Sequence, residues 1–199
     1  MIDRLEIPML AARSFRLDFR LWLVPALVAW SRVVGASVVV PLDLPALVGH
    51  ADRVIVGTVE AQVSRWSADH NAIFTDVTVS VSRALKGDVH AGDRVTVRRE
   101  GGEVEGIGMK VSGAARFVAG EEVVLFLERR GAAYWTVGMA QGKMHVAIVD
   151  GRRTAFRDTA GIEFTEAPAP EPAVRPLDEL TAQIEGEVKQ AGSTGGKHK

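Results

Sequence analysis

The feature of this sequence that most constrains its fold is an alternation of apolar and polar residues from Ala72 to Ser82. The predicted inward residues all lie at odd positions: Ile73, Thr75, Val77, Val79 and Val81. The opposite face is polar: Asp76, Thr78, Ser80 and Ser82. Because successive side chains of a strand point to opposite sides of a sheet, this period of two indicates a β-strand with one buried face. The alternation therefore predicts a chain built mainly on β-sheet.

Further segments have the composition or the alternation of strands. They are Arg53–Glu60, Asp93–Arg99, Val123–Leu127, Tyr134–Val137, Met144–Val149 and Arg152–Phe156. Gly57 lies in the middle of the first, where a glycine suits a bulge or a sharp bend. The continuous apolar run from Val123 to Leu127 is typical of a strand buried on both faces. Asp150-Gly151 predicts a tight hairpin turn, and the five glycines within residues 100–113 predict a long exposed loop.

Two helices are predicted, one on each side of this β-rich region. Asp43 is suited to cap the first, and Pro45 is tolerated in its first turn. The apolar face of this helix is Leu44, Leu47 and Val48. The second helix spans Leu177–Lys189 and has its apolar residues at helical spacing. They are Leu177, Leu180, Ile184 and Val188.

Strands joined by turns, with one strand bent at a glycine, suit a small closed barrel such as the OB-fold. A compact sandwich is the alternative, because periodicity alone does not choose between the two. We expect a mainly β fold: a small five-stranded OB-like barrel with a short N-terminal helix, an added hairpin and a C-terminal helix. The predicted organisation is a signal peptide at 1–36, the OB-like domain at 38–165, a Pro/Ala linker at 166–176, and a short helix with a disordered tail at 177–199.

The N-terminal segment has the pattern of a secretory signal. Arg13, Arg16 and Arg20 precede an apolar run from Leu21 to Trp30, and the small residues Gly35 and Ala36 follow. The run is about ten residues long, which is short of the roughly 20 that a membrane-spanning helix needs. We therefore expect export to the periplasm or the outside of the cell, with no stable membrane span after cleavage. The alternative is a buried N-terminal helix of a cytosolic protein.

Composition excludes several classes of protein. The 199 residues suit one domain with appendages, and 47% hydrophobic and 25% charged residues are ordinary globular usage. The net charge of -1 supplies no positive field to attract a phosphate backbone, so nucleic acid is not expected as the main partner. The absence of cysteine excludes disulfides, thiolate metal sites and a cysteine nucleophile.

Motifs of catalysis and cofactor binding are missing from the sequence. None of the five histidines lies three or four residues from another, so no metal site is predicted. Ser64 and Ser112 lack the GxSxG arrangement of a nucleophile elbow. The glycines at 101–108 are followed neither by Lys-Ser/Thr nor by a helix signal, so no phosphate loop or cofactor site is predicted. We therefore expect no catalytic residues, no metal and no cofactor.

A set of arginine and aromatic residues is the best candidate for a binding surface. Its members are Trp66, Phe74, Arg94, Arg98, Arg99 and Trp135. OB-folds bind oligonucleotides or sugars through a cationic and aromatic face of this kind, although a solvated strand face has the same composition. We expect a secreted, non-catalytic binding module whose partner is an extracellular or envelope protein or a surface polymer. The alternatives are an assembly accessory of the cell envelope that docks through its C-terminal helix, and a cryptic hydrolase.

Four short phrases occur in the chain in a particular order: Ala51-Asp-Arg-Val-Ile-Val56, Leu85-Lys-Gly87, Gly120-Glu-Glu-Val-Val-Leu-Phe-Leu127 and Gly142-Lys-Met-His-Val-Ala147. Their order resembles the netrin-like, OB-fold domain of the tissue inhibitors of metalloproteinases and covers residues 51–148. The resemblance implies an OB-fold in a secreted bacterial protein. Those inhibitors chelate the protease zinc through an N-terminal cysteine, and since this chain has no cysteine, that mechanism transfers to no residue here.

Overall fold

The computed structural model of the protein describes residues 37–157, 162–165 and 174–194. The predicted signal peptide, residues 166–173 of the predicted linker and residues 195–199 lie outside the described residues. In the described part of the chain, no helix is both long and apolar enough to cross a membrane.

The described residues form twelve strands, two α-helices and one 3-10 helix. In chain order these are β1 (Ser37–Val39), α1 (Leu44–His50), β2 (Arg53–Trp66), β3 (Ile73–Lys86), β4 (Arg94–Glu100), β5 (Gly102–Val104), β6 (Ile107–Met109), β7 (Glu122–Arg130), β8 (Ala133–Thr136), the 3-10 helix (Met139–Gly142), β9 (Lys143–Val149), β10 (Arg152–Arg157), β11 (Ile162–Phe164), β12 (Val174–Pro176) and α2 (Leu177–Thr194).

Five of the strands are hydrogen-bonded in a closed ring, in the order β2, β3, β4, β8, β7 and back to β2. All of these pairings are antiparallel except that of β4 with β8, which is parallel and consists of the single bridge between Val97 and Tyr134. We call this β4–β8 junction the seam. The prediction of a mainly β fold with a five-stranded ring, a short N-terminal helix and a C-terminal helix is therefore confirmed.

The sheet continues beyond the ring. β9 pairs with the first half of β7, and β10 and β12 follow outwards. The turn at Asp150-Gly151 joins β9 to β10, as the sequence predicts for the added hairpin. The end of the predicted linker, Val174–Pro176, is a strand instead, because it completes the sheet edge by pairing with β10.

Apolar side chains form two separate cores. The interior core fills the ring, and the outer core lies between the outside of the sheet and the two helices. β7 serves both, because Val123, Leu125 and Leu127 point into the ring while Val124 and Phe126 point towards the helices. Burial on both faces explains why this strand is a continuous apolar run.

Each helix covers the outer core with the face that the sequence predicts. Asp43 caps α1, since its carboxylate accepts a hydrogen bond from the backbone N–H of Ala46 at 2.8 Å. The apolar residues of both helices are buried: Leu44, Leu47, Val48, Leu177, Leu180 and Ile184. Val188 packs against the same core while partly exposed. α2 ends at Thr194 and so is longer than predicted.

Two predictions made from glycines, at Gly57 and in residues 100–113, have different outcomes. The strand register shifts between Val56 and Gly57, which agrees with the bulge that is one of the two predictions for Gly57. Residues 100–113 are not simply a long exposed loop as predicted, since β5 and β6 form a small hairpin there. Gly102 has a φ of +146°, and a Cβ on it would lie 2.4 Å from both Ser64 Oγ and Thr75 Oγ1. Glycine here lets the hairpin approach β2 and β3 closely.

Candidate binding cleft at the seam

A cavity of about 210 Å³ lies at the seam. After the single bridge at Val97, β4 continues through Arg98 to Glu100 without further pairing to β8. These β4 residues form one wall of the cavity, and Arg130, Trp135 and Met139 contribute to the other. We call this cavity the seam cleft. It lies where the ring closure is weakest.

A second cavity, of about 540 Å³, lies next to the seam cleft. It is lined by residues of the 102–118 segment, and Lys110, Arg116 and Phe117 are among them. We call it the loop cavity. Arg99 and Ala114 line both cavities, so Arg99 lies between the two.

Strand alternation sends Arg98 and Arg99 in opposite directions. Arg99 is paired with Thr75, which belongs to the buried face of β3. Arg98 is paired with Asp76 on the outer face. Since directly opposed residues of an antiparallel pair point to the same side, Arg99 lies at the mouth of the ring and Arg98 lies outside it.

Arg98 is fully engaged with a carboxylate. Its Nε and Nη2 donate to the two oxygens of Asp76 at 2.7 and 3.0 Å, and Arg65 lies 3.0 Å from the same carboxylate. The hydrogen bond from Arg98, helped by the positive charges of Arg98 and Arg65, holds the pKa of Asp76 below its usual range. The same hydrogen bond raises the pKa of Arg98.

The guanidinium of Arg99, in contrast, is incompletely hydrogen-bonded. Its Nε is buried without a hydrogen-bond partner, and it is the only such side-chain nitrogen or oxygen atom in the described part of the chain. Its Nη1 donates to the backbone oxygen of Glu100 at 3.3 Å. Burial, followed by the positive charge of Arg116, lowers the pKa of Arg99. Since buried polar groups are almost always hydrogen-bonded, this exception needs an explanation.

Trp135 is held in place by its neighbours. Its ring lies edge-on to Phe74, with centroids 5.9 Å apart and planes at 89°. The Arg130 guanidinium lies 5.9 Å from the Trp135 ring centroid and forms an ion pair of 2.6 Å with Glu128. These two contacts support the Trp135 ring in the wall of the seam cleft.

The structure brings four of the six predicted site residues together. Arg98, Arg99 and Trp135 line the seam cleft, and Phe74 supports Trp135. Trp66 ends β2 and stacks on His70 with centroids 6.0 Å apart. Arg94 begins β4, about 17 Å along the strand from Arg99, and pairs with Glu60 at 2.7 Å. Neither Trp66 nor Arg94 lines the seam cleft.

Sequence reasoning missed four residues of this region. They are Lys110, Arg116, Arg130 and Met139. Arg130 had a signal, because it lies in the Arg-Arg-Gly turn between two predicted strands. Lys110 lies in the glycine-rich segment 100–113 that the sequence predicts as a loop, while Arg116 and Met139 carried no signal in the local pattern.

The arginines of the seam cleft can donate hydrogen bonds to an anion that lies next to apolar side chains. Within residues 37–157, 162–165 and 174–194, no group of three or more His, Asp or Glu side chains is arranged to hold a metal ion.

Comparison with known proteins finds no matching family model and no matching curated protein.

Proposed function

We propose that this protein is a non-catalytic binding module whose ligand occupies the seam cleft and carries an anionic group. The observation that carries the proposal is the buried Arg99 Nε, which has no acceptor among the described residues. Because this nitrogen is buried, it bonds to an oxygen acceptor on a ligand only when the Arg99 side chain turns its Nε–H towards the seam cleft.

The energetics support an acceptor at this position. A buried polar group without a partner costs about 1–3 kcal/mol, and more when it is charged. A hydrogen bond to a charged group contributes about 1.5–3 kcal/mol. The free protein bears the first cost at Arg99, and a bound anion removes it. Both figures describe the same Arg99 hydrogen bond and are not additive, and formation of that bond with an anion favours binding.

The fold and the expected export of the chain complete the proposal. The closed five-stranded ring supports the assignment of the domain as OB-like, and folds of this class are frequent binding scaffolds. The resemblance to netrin-like domains, the export of the chain and an extracellular or envelope partner all belong to this proposal. The signal pattern at residues 1–36 supports the export.

The alternative of an assembly accessory that docks through the C-terminal helix has less support. The apolar face of α2 packs into the domain's own outer core, with Leu180 and Ile184 buried there. A partner would have to bind the polar face of α2, and no feature of that face singles it out. The seam cleft is the better candidate surface.

The arginine Nε–Hε signals in the NMR spectrum of the full chain provide the test. The Arg99 signal is assigned by its loss in Arg99→Met, and the protein is titrated with inorganic phosphate and with acetate. We expect at least one anion to shift the Arg99 signal while the signal of Arg94, which is already paired with Glu60, stays fixed. If neither anion moves Arg99, or if both arginines respond alike, the proposal is wrong.

A further inference from the structure

We infer that the ligand of the seam cleft is an acidic peptide segment in extended conformation, with a Glu or Asp carboxylate bound to Arg99. This inference rests on the proposed function and names the class of its partner. Three observations support it: the free edge of the guanidinium, the charge and polarity of the two linings, and the unpaired side of β4.

One edge of the Arg99 guanidinium has the geometry to bind a carboxylate once its buried Nε is turned towards the cleft. Arg98, the next residue, binds Asp76 side-on through Nε and Nη2, which is the bidentate geometry that carboxylates favour. In Arg99, Nη1 is occupied by the backbone oxygen of Glu100, while Nε has no partner. The edge that Arg98 uses for its carboxylate is therefore the edge that contains the unpartnered atom of Arg99.

The lining of the loop cavity favours negative charge. Arg99, Lys110 and Arg116 all line it, and no acidic residue does. Neither Lys110 nor Arg116 has an ion pair with another described residue. The seam cleft is lined by the acidic Glu100 as well as by arginines. Two of those arginines, Arg98 and Arg130, already have carboxylate partners. Excess positive charge is thus concentrated on the loop side of Arg99.

The remaining lining is better suited to a peptide than to a sugar polymer. Apart from the cations and the Trp135 indole, the polar side chains that line the two cavities are Glu100 and Thr136 of the seam cleft. The non-cationic lining is largely apolar and includes Ala114, Phe117 and Met139. The Arg130 guanidinium already lies against the Trp135 ring, 5.9 Å from its centroid, where a sugar would stack. Apolar side chains next to the carboxylate fit this surface.

The backbone of β4 offers an edge for an extended segment. Gly101 N–H donates to Ile73 O at 2.8 Å, and Val81 N–H donates to Asp93 O at 2.8 Å. These bonds fix the ladder so that odd-numbered residues of β4 bond to β3. The backbone groups of Arg98 and Glu100 consequently face the seam, but the parallel bridge of Val97 with Tyr134 uses the N–H of Arg98, and the oxygen of Glu100 accepts from Arg99 Nη1. The C=O of Arg98 and the N–H of Glu100 are left for a further strand. An extended peptide that bonds to these two groups lies beside β4 with one side chain directed towards Arg99.

Two peptide pools test this inference on the full chain. Both are acetylated and amidated pentapeptides with random flanking residues, and the central residue is Glu in one pool and Gln in the other. After equilibrium dialysis, mass spectrometry measures which peptides the protein retains. We expect retention of the Glu pool to exceed that of the Gln pool by about tenfold, since loss of one charge-assisted contact costs about 1.4 kcal/mol.

Matched variants assign the effect to the cleft. Arg99→Met should abolish the preference for Glu, whereas Arg94→Met, on the same strand but outside the cleft, should retain it. Equal retention of the two pools, or a Glu preference that survives Arg99→Met, overturns the inference.

Parallel titrations with inorganic phosphate and with polygalacturonate separate this failure from failure of the proposed function. If either one shifts the Arg99 Nε–Hε signal while the peptide pools are not distinguished, the ligand is a different anion and the binding module stands. If no probe shifts that signal, both proposals fall.

Discussion

The helix side and the seam side of this domain treat their arginines differently. Beneath α2, Arg83 donates to Thr181 Oγ1 at 3.1 Å and pairs with Glu185 at 2.6 Å. A cavity of about 340 Å³ lies there, lined by Arg83 and by Arg153, which is paired with Glu122. At the seam a smaller cavity is lined by Arg99, whose Nε is buried without a partner. The comparison teaches that an unpaired buried charge, rather than the size of a cavity, distinguishes a candidate site from ordinary packing.

The largest expected effect is on the helix side. Ile184→Ala removes a fully buried side chain from the outer core and should lower the free energy of unfolding by about 3 kcal/mol. Urea denaturation measures this loss, and the Arg99 Nε–Hε signal reports on the seam under native conditions. A shift of that signal in Ile184→Ala would show that the substitution also alters the native structure around Arg99, and the contrast between the two sides could not then be drawn from their own contacts.

The second prediction concerns how the small hairpin is seated beside the loop cavity. Gly102→Ala should lower stability by about 2 kcal/mol or more, because its Cβ would meet Ser64 Oγ and Thr75 Oγ1 at 2.4 Å at a positive φ. Gly106→Ala is the matched control, since Gly106 also has a positive φ but no atom within 4 Å of the added Cβ. Its cost should be about 1 kcal/mol. Equal losses in the two variants would mean that close packing of Gly102 is unimportant.

The third prediction is that substitutions of the neighbouring residues Arg99 and Arg98 change stability in opposite directions. Arg99→Met replaces an unpaired, half-buried charge by an apolar side chain and should raise stability by about 1 kcal/mol. Arg98→Met removes the bidentate partner of Asp76 and should lower stability by about 1 kcal/mol. Thermal and urea unfolding of both variants measure the difference. A loss of stability in Arg99→Met would indicate that this charge is satisfied within the protein.

The smallest effect concerns acid. Because the pKa of Asp76 is lowered in the folded protein, its ionised form stabilises the fold above the unfolded-state pKa of about 3.9. This contribution is lost as the pH falls from that value through the lower folded-state pKa. Asp76→Asn should therefore be less stable than the parent by about 1 kcal/mol at neutral pH and equally stable in strong acid. Urea unfolding as a function of pH checks this, and a difference independent of pH would contradict it.

Local pattern predicted more of the fold than of the cleft. The inward faces of β3 and β4 and the cap at Asp43 follow from neighbouring residues, so alternation and helical spacing reveal them. β5 and β6 were missed because glycines that signal a loop also permit close packing, as at Gly102. Arg99 was predicted as one of several arginines. Its burial depends on tertiary packing at the seam, and its lowered pKa depends on that burial and on the charge of Arg116, which no local pattern contains.

The position of β7 between the two cores has a consequence for folding. One strand supplies Val123, Leu125 and Leu127 to the ring and Val124 and Phe126 to the helix layer. Melting of either layer would expose half of this strand to water, so neither has an independent folded state. The domain should consequently lose its structure in one cooperative transition, detected at the same denaturant concentration by far-ultraviolet circular dichroism and by tryptophan fluorescence.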